Sequence, residues 1–416
     1  MIAETLSTGE EIRSGATVDT NSAYIAETLE QAGLAITRHT CVGDDLTALV
    51  SVLREIGGRA RFAVVTGGLG PTADDLTASA AAQAAGVELQ LYPAALAAVR
   101  SYFESRGRVM SRSNEKQAFF PAGAEPIMNP IGTAPGFTFQ IDRCLFFFLP
   151  GVPAEMRRML SEIVLPRLQS LQGESRRCIQ SRTITTFGLT ESATGERLAG
   201  YENRFPGVKL GFRVRFPEIH VKLYGRGCDE HDLAAALQAA TDWITARLGE
   251  KVLCIDGGSM ETVVGRLLKQ KGATLAVAES CTGGLISHWL TNVPGSSDYF
   301  LFSGVTYANA AKTQVLGVSP QALQQHGAVS EETAKEMAAG VRRLAGATYG
   351  LAVSGVAGPD GGTPEKPVGT VCIGLATPHT LISRRYCFPF GDRLRNKEMF
   401  AACALNLLRR ELMKSL

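Results

Sequence analysis

A chain of 416 residues exceeds what one hydrophobic core supports and predicts two or three domains. With 45% hydrophobic residues, 20% charged residues and a net charge of +2, it reads as an ordinary globular protein and gives no reason to expect a polyanion as main partner. No apolar run approaches the ~20 residues that span a bilayer, and no basic segment opens the chain, so a cytoplasmic protein without a membrane partner is expected. Nine cysteines without a CxxC pair argue against a disulfide framework; Cys144, Cys254, Cys372, Cys387 and Cys403 lie in apolar runs, as small hydrophobes do. The six histidines form no zinc-ligand spacing.

In chain order, Met1 to Ser7 reads as a strand, Gly9-Glu10-Glu11 as a turn, and Asp19 to Gly33 as an amphipathic helix capped by Asp19-Thr20-Asn21. Leu34 to Cys41 as strand, Asp44 to Ile56 as helix and Arg61 to Thr66 as strand continue a rhythm that predicts a parallel sheet covered on both faces. Ligands of such sheets bind beyond the carboxyl ends of the strands. There the chain carries Thr66-Gly67-Gly68-Leu69-Gly70-Pro71-Thr72-Ala73-Asp74-Asp75. Its glycines admit a phosphate to backbone N–H groups, and its two carboxylates offer hard oxygen ligands to a divalent cation. A tight turn with an aspartate cap is the structural alternative. Cys144 to Leu149 is apolar throughout, as in a buried strand, and Pro153 starts a helix to Leu171 that closes a first domain, 1–171.

A polar stretch, Gln172-Gly173-Glu174-Ser175-Arg176-Arg177, marks a boundary. Beyond it a strand from Ile179 to Phe187, a helix begun at Thr190, strands from Val208 to Phe216 and Ile219 to Tyr224, and a helix from Glu230 to Leu248 predict a small α+β domain, 172–251. Lys209, Arg213, Arg215 and Lys222 lie on its strands, but it has no Gly-x-x-Gly clamp, so a spacer or a dimer contact is expected rather than a nucleic-acid surface.

The third domain, 252–416, alternates again: a helix from Ser259 to Gln270, a strand from Thr274 to Ala278, a helix from Cys281 to Leu290, and later elements ending in an amphipathic helix from Arg393 to Leu412, an α/β sandwich. Between strand and helix stands Glu279-Ser280-Cys281-Thr282-Gly283-Gly284, where hydroxyls, a thiol and free N–H groups converge; Ser280 as a mere helix cap is the competing reading. Val305-Thr306-Tyr307-Ala308-Asn309-Ala310-Ala311-Lys312 adds a tyrosine and a lysine able to serve a serine. Ser354-Gly355-Val356-Ala357-Gly358-Pro359-Asp360-Gly361-Gly362-Thr363 is too long for a hairpin turn and reads as a ligand loop.

These three blocks, in this order, resemble the signature blocks of the CinA C-terminal domain. The first-domain stretch, with Gly9-Glu10-Glu11 and Leu149-Pro150-Gly151-Val152-Pro153, resembles the molybdopterin-binding domain shared by molybdenum-cofactor enzymes and the CinA N-terminal half. The middle domain resembles the CinA linker domain. For the third domain the resemblance implies a cofactor-free nicotinamide mononucleotide deamidase, part of pyridine nucleotide recycling. In it Ser280 attacks the carboxamide, Lys312 takes the hydroxyl proton, Tyr307 relays or orients, and N–H groups of Cys281, Thr282 and Gly283 hold the oxyanion. Ser354, Gly355, Ala357 and Gly358 with Arg393 would anchor ribose and phosphate. Ser354 stands where the family usually has threonine, and a second arginine often found near Lys397 is missing, so Arg393, Arg395 and Lys397 all stay open as the phosphate ligand. Cys281 competes with Ser280 as nucleophile.

For the first domain the resemblance implies an ADP-ribose pyrophosphatase dependent on magnesium, manganese or cobalt. Glu10, Thr66, Gly67, Gly68, Asp74 and Asp75 would contact substrate or metal, with Asp74 and Asp75 as metal ligands and Asn114, Gln117 and Gly136 closing the pocket. The Gly9-Glu10-Glu11-Ile12-Arg13 segment departs from the family's usual Gly-Thr-Glu or Gly-Asp-Glu. A homodimer acting on small nucleotides, without nucleic acid, is the expected assembly. The alternatives are a molybdopterin-processing enzyme and a non-enzymatic, competence-linked interaction protein.

Overall fold

The computed structural model describes residues 3–172, 178–227 and 229–414. The predicted boundary at 173–177 and the first two residues of the predicted opening strand lie outside them. The chain divides into two compact units, Met1–Gln180 with Arg226–Ala234, and Ser181–Gly225 with Ala235–Leu416. Most of the predicted middle domain therefore shares a unit with the third.

The first unit is built on a six-stranded sheet in the order Ile36–Val42, Ala3–Thr8, Phe62–Thr66, Cys144–Leu149, Gly136–Ile141, Glu125–Ile127. The first four strands run parallel, and of the last two Gly136–Ile141 pairs antiparallel with both of its neighbours. The phenylalanine run shows why Cys144–Leu149 sits inside: Phe146 and Phe148 enter one core cluster and Phe147 and Leu149 the other, all with no exposed surface. Each such burial contributes about 1.5–3 kcal/mol. Phe148 stacks on Phe137 of the next strand at 4.3 Å. Asp19 and Asp45 cap helices Thr20–Gln31 and Leu46–Arg59 by accepting from Ser22 and Ala48. The predicted helix from Pro153 is interrupted by a π turn, Leu160–Val164, immediately before Pro166, whose nitrogen has no proton to give.

In the second unit a four-stranded sheet runs Val208–Arg215, Glu218–Gly227, Cys178–Phe187, Val252–Cys254, so the middle sheet continues past the predicted end at Lys251. A five-stranded sheet follows: Phe300–Val305, Leu275–Glu279, Tyr349–Gly355, Thr370–Ala376, Leu381–Cys387. Helices Met260–Gln270 and Arg393–Met413 pack on one face and Glu331–Ala345 on the other. Both large sheets share a feature. In each, the first strand of a parallel trio lies between the second and the third, so successive connections leave it in opposite directions. The crevice at the carboxyl end of that strand is where open α/β sheets receive ligands. In the first unit it opens after Thr8 and Thr66, in the second after Glu279 and Gly355.

Candidate active sites

The strand Leu275–Glu279 is wholly buried and delivers its last residue to the second unit's crevice. The helix predicted from Cys281 starts later, at Leu285, because Ser280 to Gly284 form a turn closed by Gly283 N donating to the Ser280 carbonyl (3.1 Å). The helix is capped by Glu279: its carboxylate accepts from the backbone N–H groups of Gly284 (3.0 Å), Ile286 (3.2 Å) and Ser287 (2.9 Å) and from the Ser287 hydroxyl (2.5 Å). The Ser280 hydroxyl is thereby released from the capping role.

It pairs with Lys312 instead. Helix Asn309–Leu316 brings the ammonium, 1% exposed, to 3.1 Å from Ser280 Oγ, and its other two protons go to the carbonyls of Thr306 and Tyr307, both at 2.9 Å. Burial lowers the lysine's pKa from its usual value, against a smaller opposing influence of Cys281. When the lysine is neutral, two N–H bonds still fit the two carbonyls and the lone pair faces the serine. This is the geometry of a base fixed on a nucleophile.

Tyr307 is placed differently from the prediction. Its carbonyl, not its phenol, meets Lys312; the ring is 60% exposed and its hydroxyl accepts from Arg393 Nη2 (3.2 Å). Cys281 drops out as nucleophile, since it lies in the apolar core and burial pushes its thiol up to about 12, far from the thiolate needed for attack. Alkylation near neutral pH, and Cys281→Ala, should therefore leave turnover within a few-fold of wild type; loss of activity on alkylation of Cys281 itself would contradict this placement. Of the cysteines predicted to pack as small hydrophobes, Cys387 is exposed and Cys254 only half-buried.

Of the predicted oxyanion donors, Gly283 N–H is spent within the turn, whereas among the described residues those of Cys281 and Thr282 make no backbone–backbone hydrogen bond and have only the weakly accepting Cys281 sulfur beside them. The buried hydroxyls of Thr282 and Thr306 are also without a partner, as expected where a polar ligand or water completes a site. The Ser354 hydroxyl donates its proton to the Ala328 carbonyl at 2.6 Å and so can meet a ligand only as an acceptor. A Cβ at Gly355 would sit 2.6 Å from the Thr370 carbonyl and 3.2 Å from Cys281 Sγ, so this glycine serves close packing behind the nucleophile turn. The Ala357 carbonyl accepts from Asn396, and that of Gly358 from Arg393 Nη1 (2.6 Å). Arg395 turns away, its guanidinium 5.7 Å from the Phe216 ring centre. Lys397 reaches toward the nucleophile turn, its Nζ 3.6 Å from where a Gly283 Cβ would be. Arg393 and Lys397 thus both lie beside the crevice.

The first unit's crevice is a cavity of about 410 Å³ walled by Thr8, Gly9, Thr66 to Pro71, Gln117 and six carboxylates: Glu11, Asp19, Asp44, Asp74, Asp75 and Glu155. No lysine or arginine is among its walls. Of the residues predicted to contact substrate or metal, Thr66, Gly67, Gly68, Asp74, Asp75 and Gln117 line this cavity. Glu10 does not, because its carboxylate is taken by Arg13 (2.8 Å from Nε) on a neighbouring surface, and Glu11 faces the cavity instead. Asn114 stands behind the wall, bonded to Gln117 (3.0 Å) and Ser111 (2.7 Å). Gly136 is required by packing, since a Cβ there would strike the Phe148 carbonyl at 2.3 Å. Burial, opposed by the hydrogen bond from Glu10 N and reinforced by Asp74, Glu11 and Asp75, pushes the Asp44 carboxyl above its ordinary range. Asp44, Asp19 and Glu155 escaped the sequence reading; the only hint of Glu155 was its place just after the Leu149–Pro153 motif.

No helix among the described residues is long and apolar enough to cross a membrane. Residues 258–412 match the family described as the CinA C-terminal domain, residues 4–170 the probable molybdopterin binding domain, and residues 181–253 the damage-inducible protein CinA KH domain. A CinA-like protein of Desulfosudis oleivorans is 55% identical over 99% of this chain and 100% of its own, and one of Desulforapulum autotrophicum 50% identical over 98% and 97%. A solved competence/damage inducible protein of Agrobacterium tumefaciens is 36% identical over 38% of this chain and 96% of its own, with a TM-score of 0.36. With identity of this order along essentially its whole length, the chain belongs to the CinA family.

Proposed function

We propose that the second unit hydrolyses the carboxamide of nicotinamide mononucleotide, giving nicotinic acid mononucleotide and ammonia. The observation that carries this reading is the buried 3.1 Å contact between Lys312 Nζ and Ser280 Oγ, with no carboxylate in an ion pair with the lysine among the described residues. Neutral Lys312 takes the Ser280 proton as Oγ bonds to the carboxamide carbon, and the N–H groups of Cys281 and Thr282 receive the oxyanion. The lysine then gives its proton to the departing nitrogen, the C–N bond breaks and ammonia leaves. Water attacks the ester, its proton passing to Lys312 and on to Ser280 Oγ as the acid is released. Arg393 and Lys397 suit the 5′-phosphate. Ammonia release from nicotinamide mononucleotide by the purified chain tests the reading; no release above the buffer control would refute it.

A second activity, metal-dependent hydrolysis of ADP-ribose, is the reading that the first unit's acidic cavity favours. A pyrophosphate cannot settle among six carboxylates without cations. Among the described residues no three His, Cys, Asp or Glu side chains form a ready metal cage; a magnesium-like ion would here be held by one or two carboxylates and the substrate's own phosphates. Asp74, Asp75 and Asp44 are the carboxylates for that role; Asp75 Oδ2 accepts from Thr72 N (2.8 Å) and Oγ1 (2.6 Å) and Asp44 Oδ2 from Glu10 N (3.0 Å), which leaves the second oxygen of each for a cation. The bound cation would neutralise phosphoryl charge. With magnesium, manganese or cobalt the chain should release AMP from ADP-ribose, and Asp74→Asn should lower that rate at least about tenfold while ammonia release is unchanged. Equal rates in Asp74→Asn and wild type would contradict it.

A further inference from the structure

The middle domain supplies none of the residues assigned above to either site, yet it touches both ends of the helix that carries Arg393 and Lys397. At the near end, the tip between strands Val208–Arg215 and Glu218–Gly227 sets the Phe216 ring edge-on against Phe390, with centroids 5.3 Å apart and planes at 88°. Arg395 lies over the other side of that contact, 5.7 Å from the Phe216 centroid. Phe390 is one step from the site. Its carbonyl and that of Ala357 in the ligand loop both accept from Nδ2 of the fully buried Asn396, each at 3.0 Å. At the far end Arg409, 3% exposed, donates to the carbonyls of Glu250 (3.1 Å) and Val252 (3.4 Å), at the strand that completes the middle sheet. A third tie lies two residues past Phe216, where the buried Glu218 accepts from Met260 N (2.9 Å) at the start of the third domain's first helix.

Residues 388–392 have no regular secondary structure, so the segment leading into Arg393 is placed by its contacts: Phe388 N on the Gly369 carbonyl, the Phe390 ring between Phe388 and the middle domain's Phe216, the Phe390 carbonyl on Asn396, and Asp392 accepting from Arg395 N. We propose that the middle domain is a positioning part of the second unit's active site, with Phe216 setting where Arg393 and Lys397 stand and hence how tightly a substrate phosphate is held. Phe216 acts through Phe390 and Arg395 and is a positioning residue. The inference rests on the nucleotide reading above and deepens it.

The test compares the full chain with Phe216→Ala, Phe216→Tyr and Arg395→Met, using nicotinamide mononucleotide and the phosphate-free nicotinamide riboside. Nucleotide affinity is measured in parallel by calorimetry in the Ser280→Ala background. Losing an aromatic pair should raise KM and Kd for the nucleotide about three- to tenfold in Phe216→Ala, with kcat within about twofold. Riboside turnover should be unchanged, and Phe216→Tyr should behave as wild type. Arg395→Met, an exposed change that does not threaten the fold, should raise KM in the same direction and decides the matter if Phe216→Ala does not fold. An unchanged nucleotide KM, or equal losses on both substrates, overturns the inference while leaving the deamidase reading intact. A wild-type chain that neither binds nor hydrolyses the nucleotide overturns both.

Discussion

Ser280→Ala is expected to lower kcat for ammonia release by about 10⁴-fold or more, the scale on which removing a catalytic serine acts when a base and oxyanion donors stay in place. The loss should fall on kcat rather than on binding. Among the described residues the one side-chain hydrogen bond of Ser280 Oγ is with Lys312, and the nucleophile turn is held by bonds the substitution leaves untouched: Glu279 to Gly284, Ile286 and Ser287, and Gly283 N to the Ser280 carbonyl. Nucleotide affinity by calorimetry should therefore stay near wild type. Ser280→Cys, which keeps a nucleophile but enlarges it inside a turn where residue 280 is 8% exposed, should recover only a small part of the rate. Turnover by Ser280→Ala close to wild type would remove the nucleophile from the scheme.

Lys312→Arg should cost about 10²- to 10⁴-fold in kcat/KM, the range that a positioned general base contributes. A guanidinium retains charge and donors for the Thr306 and Tyr307 carbonyls but cannot accept a proton in the working pH range. The same chemistry fixes the pH dependence. The lysine must be neutral to act, and burial lowers its pKa below the 10.5 of an ordinary lysine, so kcat/KM should rise with pH through an inflection lying below that value. The residual activity of Lys312→Arg should lack this rising limb. A wild-type profile that falls over the same range would mean the charged lysine is the working form, acting as an acid or an anion ligand.

Much of the fold was legible because its strands are apolar runs between breakers. The strand Cys144–Leu149 and the helix Glu230–Leu248 have the ends that the sequence predicts. Short helices without a wide apolar stripe, such as Pro320–His326, left no such trace. Within the site, Ser280 and Lys312 were legible as residue types in adjoining strand-to-helix blocks, but which atom of a residue does the work was not. Tyr307 offers a carbonyl where a phenol was expected, and Glu279 proved to be the helix cap, because a carboxylate ending an apolar strand looks no different in sequence from one reaching solvent. The choice among Arg393, Arg395 and Lys397 was present in helical spacing: residues four apart share a face, and the residue between them does not. The same logic separates Glu10 from Glu11, since adjacent residues on a helical turn point in different directions.

The most direct measurement is acid quench of the enzyme in its first turnovers with nicotinamide mononucleotide, followed by intact-mass and peptide mapping. The account predicts an adduct equal to nicotinic acid mononucleotide less one water, carried by Ser280 and absent from Ser280→Ala. Ammonia released with the adduct on Cys281, or with Ser280→Ala turning over as fast as wild type, would contradict it.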